Sequence, residues 1–135
     1  MLKTFIVYPK EGMRLLLEFE TFQIIEGGFI LYNDAVQPSK EGFLSFDNVA
    51  AIVPEQQANM PGMIGFHIYL KNKPQPLEIF AHSFDTEQKP SVIFYWQREN
   101  SVGTIIKEEA LLGIYVALSE VVAIMPSDGL LSFRQ

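Results

Sequence analysis

Twelve residues near the middle of this chain return near its end. Phe43-Leu44-Ser45-Phe46-Asp47-Asn48-Val49-Ala50-Ala51-Ile52-Val53-Pro54 matches Tyr115-Val116-Ala117-Leu118-Ser119-Glu120-Val121-Val122-Ala123-Ile124-Met125-Pro126. Val49/Val121, Ala51/Ala123, Ile52/Ile124 and Pro54/Pro126 are identical, and most other positions keep size and polarity. Three further matches precede it in the same order. Phe5-Ile6-Val7-Tyr8-Pro9-Lys10 pairs with Phe66-His67-Ile68-Tyr69-Leu70-Lys71, Leu17-Glu18-Phe19 with Leu77-Glu78-Ile79, and Ile30-Leu31-Tyr32 with Ile93-Phe94-Tyr95. A fixed order of matches, with spacing changes only at loops, reads as a tandem duplication. The copies cover about residues 1–55 and 63–128.

Each copy reads as strands. The first (5–9; 66–71) ends at Lys10-Glu11-Gly12 or at Asn72-Lys73-Pro74-Gln75. The second (14–20; 77–82) alternates, with Leu15, Leu17 and Phe19 on one face and Glu18 and Glu20 on the other, which is the period of a half-buried strand. Phe22 to Ile25, Glu26-Gly27-Gly28 and Phe29 to Tyr32 then read as a hairpin with glycine at the turn. A last strand pair bends at Asp47-Asn48 or Ser119-Glu120, where short polar side chains can bond local backbone. Pro54 and Pro126 close the copies, since proline donates nothing to a ladder. The connector, 55–63, is rich in Gln, Asn, Pro and Gly and reads as a surface loop. The only helical pattern is a short one over 104–112, between Thr104 and Gly113.

A unit of roughly 55 residues seldom buries enough surface alone. The expectation is therefore one all-β domain over 1–135: two copies packed as a pseudo-two-fold sandwich or partly open barrel. Composition agrees, with 48% apolar and 13% aromatic residues, eleven Phe among them. Such a chain has the material for a core and a bias toward sheets.

Charge and missing residues narrow the function. The net charge of −6 and the loose grouping of Lys71, Lys73 and Lys89 argue against a nucleic-acid partner, which needs a basic footprint. With no cysteine, disulfides, thiolate metal sites and thiol nucleophiles are excluded. The start, Met1 to Pro9, is too short in apolar residues for a signal peptide, and no run reaches membrane-spanning length. A soluble cytoplasmic protein without a membrane partner is the expectation.

His67, His82 and Glu78 would meet as metal ligands only under one guess of strand pairing, so they are taken as ordinary strand residues and no metal or other cofactor is expected. Glu18 and Glu20 share a face as any solvated strand face would show, and no Gly-x-Ser-x-Gly or phosphate loop occurs. The segment Val92-Ile93-Phe94-Tyr95-Trp96 stands out, since it is apolar on both faces and no Pro or Lys falls between Val92 and Gln97. Such a strand is either core or covered by a partner, and Trp and Tyr anchor interfaces. Val92, Phe94, Tyr95 and Trp96 are thus the candidate interface, for a homodimer or another protein. The function read from these residues is a non-catalytic binding or regulatory module, acting through protein contacts and self-associating. The alternative is a β-barrel holding a small apolar ligand; an enzyme of unknown class comes third.

Overall fold

Alternation places the first strand. In β1 (Lys3–Pro9), Phe5 and Val7 are almost fully buried while their neighbours are not, so one face of the strand meets a core. This is a computed structural model, and it describes residues 2–58, 60–87, 90–99, 101–109 and 113–127. The chain divides into two compact units, Met1–Gln56 with Leu112–Ala117, and Gln57–Leu111 with Leu118–Gln135. The first boundary falls inside the expected connector.

The first unit begins with β1, which runs antiparallel to β2 (Leu15–Phe19) on one side and to β6 (Val49–Pro54) on the other. The hairpin of β3 (Thr21–Ile25) and β4 (Gly28–Tyr32) follows, and β4 also carries β5 (Glu41–Ser45). Gly27 makes the turn at φ +85, a region that suits glycine. At Gly28 a Cβ would run into the Leu44 carbonyl and come within 2.6 Å of the Phe43 ring. The 3₁₀ turn Phe46–Asn48 leads into β6, closed by the Val49 N–H donating to the Phe46 carbonyl. Backbone closes this bend; Ser45 gives no side-chain cap.

The inward faces of both sheets meet in one aromatic core. Phe5 stacks on Phe19 at 4.0 Å, Phe22 meets Phe29 edge-on at 5.7 Å, and Phe29 meets Tyr115 at 4.8 Å. Offset and edge-on contacts of this kind are the favoured ring geometries. Tyr115 arrives on β12 (Tyr115–Val116), which pairs with β6 and completes the order β12-β6-β1-β2.

The second unit holds β7 (Ile64–Leu70) between β8 (Leu77–Ala81) and β13 (Val121–Pro126). Its other sheet has β10 (Ile93–Glu99) between β9 (Ser83–Asp85) and β11 (Ile105–Glu109). A 3₁₀ turn, Leu118–Glu120, precedes β13. Phe66, Ile68, Leu70, Leu77, Ile79, Val92 and Phe94 are buried here.

All described sheets are antiparallel and open-ended, so the protein is all-β and its sheets do not close into a barrel. Among the described residues there is no α-helix, and none is long and apolar enough to cross a membrane. The short helix expected over 104–112 is instead β11 as far as Glu109, and 110–112 lie outside the described residues. Adjacent β-branched Ile105 and Ile106 favour a strand over a helical turn.

Two of the sequence matches fall out of step with the registers. Leu17 lies opposite Phe5, whereas the residue opposite Phe66 is Ile79, so Leu17-Glu18-Phe19 and Leu77-Glu78-Ile79 are offset by two. A slip of two keeps every side chain on its face, which is why the pattern alone could not detect it. Likewise Phe43-Leu44 pair with β4, while Tyr115-Val116 pair with β6.

Candidate functional site

Of the four residues expected at an interface, Phe94, Tyr95 and Trp96 lie on β10 and Val92 just precedes it. β10 is hydrogen-bonded to β9 on one side and β11 on the other. Val92 and Phe94 are buried, and Tyr95 and Trp96 are half-buried. The Trp96 indole Nε1 and the Ser83 hydroxyl are buried without a hydrogen-bond partner among the described residues. β9 flanks the strand at Ile93–Tyr95 and β11 at Tyr95–Glu99, so Tyr95 has a strand on both sides.

The histidines and Glu78 do not converge either. His67 Nε2 lies 3.4 Å from Glu78 Oε2 in an exposed pair, a contact worth little in water. His82 is used elsewhere: its Nδ1 accepts from the Gln97 N–H at 2.8 Å, and its Nε2 lies 3.2 Å from the Pro61 carbonyl. An acceptor at Nδ1 fixes the proton on Nε2 in the neutral ring, so Nε2 donates to Pro61. His82 thus fastens the connector to β10. Among the described residues no three His, Cys, Asp or Glu gather as a metal site.

Among the described sheets, which all have edge strands, one edge lies on β2. In the first unit the Glu55 N–H donates to the Thr4 carbonyl at 2.9 Å, so Thr4 turns its backbone toward the β6 side. Thr4 therefore does not bond its opposite residue Glu18, and Glu18 turns its own N–H and C=O away from β1. Alternation gives Leu16 the same outward direction. No strand flanks β2 on that side among the described residues. Leu15 and Leu16 are 45% and 56% exposed, unusual for leucines on a sheet edge that stays bare.

In the second unit the corresponding edge is partly capped. The Ser127 N–H donates to the Gly65 carbonyl at 2.6 Å, and Phe80, opposite Gly65, points outward. There the side-chain amide of Gln57 takes the place of a neighbouring strand. Its Nε2 donates to the Glu78 carbonyl at 2.7 Å, and its Oε1 accepts the Phe80 N–H at 3.0 Å. A carboxamide carries the donor and acceptor of a peptide group in one plane, so one Gln side chain satisfies both groups.

Beside the β2 edge of the first unit lies an open groove of about 420 Å³. Leu2, Leu17, Phe19 and Leu31 supply its apolar lining, and Glu18, Tyr32, Asn33, Lys40 and Glu41 its polar lining. One wall is held by a bonded loop. Asn33 Oδ1 accepts the Ser39 and Lys40 N–H groups at 3.1 and 3.0 Å, and Asp34 Oδ1 accepts those of Val36 and Gln37 at 2.8 and 2.9 Å. The bonds from Gln37 and then Val36 hold the Asp34 carboxyl below its ordinary value, because they favour the charged form. Sequence reasoning missed this loop. Its signal was the Asn33-Asp34 pair after a strand, residues that bond nearby backbone.

No protein-family model matches the chain, and neither a curated protein nor a solved structure matches it.

Proposed function

We propose that this protein is a non-catalytic binding module that acts through protein–protein contacts. The observation that carries the reading is the β2 edge: outward backbone groups at Leu16 and Glu18, flanked by exposed leucines and bordered by a groove. Such an edge recruits an extended segment through main-chain bonds, while side-chain pockets add selectivity. A cytoplasmic setting accords with a chain that carries no cysteine.

The module is read as a tandem duplication, and paired features support this. Strand order runs β6-β1-β2 in one unit and β13-β7-β8 in the other. Both outer pairs shift register at one place, skipping Ala50 between Val49 and Ala51 and Val122 between Val121 and Ala123. Connecting bonds recur in matched positions. Lys10 N–H donates to Asn48 as Lys71 does to Glu120, Glu20 to Tyr32 as His82 to Tyr95, and Phe46 to Gly27 as Leu118 to Pro90. Independent evolution of two sheets would have no reason to repeat such irregular details.

A photoreactive residue at position 16, with one at exposed Val102 as control, tests the binding reading in cells. Discrete protein adducts from position 16 alone are expected; equal or no adducts from both positions would refute it. The groove favours a second reading, a small apolar ligand held outside any closed barrel. Such a ligand would raise the melting temperature without changing the protein's size in solution.

A further inference from the structure

We infer that the partner at the β2 edge is a second copy of this chain, joined by antiparallel pairing of β2 with β2 about a two-fold axis. The inference rests on the protein-contact reading above and names its occupant. An isologous contact brings one surface against itself, so the edge must be complementary to its own reverse. β2 and the residue before it read Arg14-Leu15-Leu16-Leu17-Glu18-Phe19. With Leu16 opposite Leu16 of the second copy, Arg14 falls opposite Glu18, and by symmetry this pair occurs twice. Leu15 then falls opposite Leu17 on the other face. Every cross-strand pair is apolar with apolar or positive with negative, the favourable kinds in an antiparallel ladder.

The register also satisfies the backbone. Leu16 and Glu18 direct their N–H and C=O groups outward, and this alignment sets outward residues opposite outward residues, as an antiparallel ladder requires. A shift of two residues would set Leu16 against Glu18 or against Arg14, apolar against charged. A shift of four would set Glu18 against Glu18 or Arg14 against Arg14, repulsive pairs. One register therefore stands out.

The second unit shows why the contact belongs to β2 and not to both edges. Gln57 already bonds the outward Glu78 C=O and Phe80 N–H, so half of the ladder that these two β8 residues could offer is taken. Joining two copies at β2 would make the four-stranded sheet β12-β6-β1-β2 continuous across the axis. An edge contact this short falls below the roughly 1,200 Å² that marks a small interface, so the dimer dissociates on dilution.

The test is sedimentation of the whole chain over a dilution series up to about 1 mM, with circular dichroism as a folding control. Wild type is expected as a reversible monomer–dimer equilibrium. Arg14→Glu and Glu18→Arg, at exposed positions, should each weaken dimerisation at least about tenfold, since each sets like charges opposite one another. The double variant Arg14→Glu/Glu18→Arg restores the opposite-charge pairs and should recover the wild-type equilibrium. A wild type that stays monomeric throughout overturns the inference, as does a dimer indifferent to the single reversals or not restored by the double one. Adducts at position 16 with a different protein, from a chain that is monomeric alone, would refute self-pairing and leave the binding module standing.

Discussion

Replacing Gln57 examines whether one side chain can stand in for a strand. Its amide makes two neutral hydrogen bonds to the β8 edge, at 2.7 and 3.0 Å. Bonds of this kind contribute about 0.5–1.5 kcal/mol each, or roughly 1–3 together. Two effects reduce that sum in Gln57→Ala. The glutamine no longer loses its rotamer freedom, a term of up to about 1.5–2 kcal/mol, and the Phe80 N–H and Glu78 carbonyl regain water at a partly exposed edge. The net cost should be about 1 kcal/mol, near fivefold in the unfolding constant. Urea denaturation followed by Trp96 fluorescence suits the measurement, because Trp96 is the chain's single tryptophan and belongs to the same unit as Gln57. Hydrogen exchange then separates the two bonds. Gln57→Ala should expose the Phe80 amide, whereas Gln57→Glu keeps an acceptor for Phe80 and loses the donor to Glu78. Phe80 protection should therefore fall in the alanine variant and persist in the glutamate variant, while both are destabilised. Both variants within about 0.3 kcal/mol of wild type, with Phe80 exchange unchanged, would refute the strand-substitute account.

Two further outcomes follow from the first unit. Tyr115→Ala removes a ring that is 3% exposed and in contact with Phe29 and Phe46, so it should cost about 3–5 kcal/mol; thermal unfolding by circular dichroism would contradict this if the loss stayed below about 1 kcal/mol. Asp34 has a depressed carboxyl value from its bonds to Gln37 and Val36. A depressed carboxyl contributes order above its unfolded value and loses it as pH falls through the folded one. The Val36 and Gln37 amides should therefore keep their bonded NMR shifts through neutral pH and lose them below about pH 4, and Asp34→Asn should abolish the titration.

Face and edge are different properties of a strand, and the sequence reports them unequally. Side-chain alternation sets Leu15, Leu17 and Phe19 on one face of β2, and that face runs from exposed at Leu15 to buried at Phe19. The glycine-marked hairpin of β3 and β4 and the bends at Phe46–Asn48 and Leu118–Glu120 were legible for local reasons, turn chemistry and recurrence. Edge status has no such signature, because it depends on which strand lies alongside. Val92 to Trp96 read as core or as covered by a partner because both their faces are apolar. Two apolar faces mean cover above and below, which is the condition of a central strand, and β10 has a neighbour on each side. β2 gave no such sign, since its Glu18 and the following Glu20 read as an ordinary solvated face. Its openness shows only by contrast with β8, and that contrast turns on Gln57, a connector residue that lies 23 positions from Phe80. No local window spans that distance. A carboxamide acting as a strand leaves no periodic trace, so the bare edge became visible only when the two sheets were set beside each other.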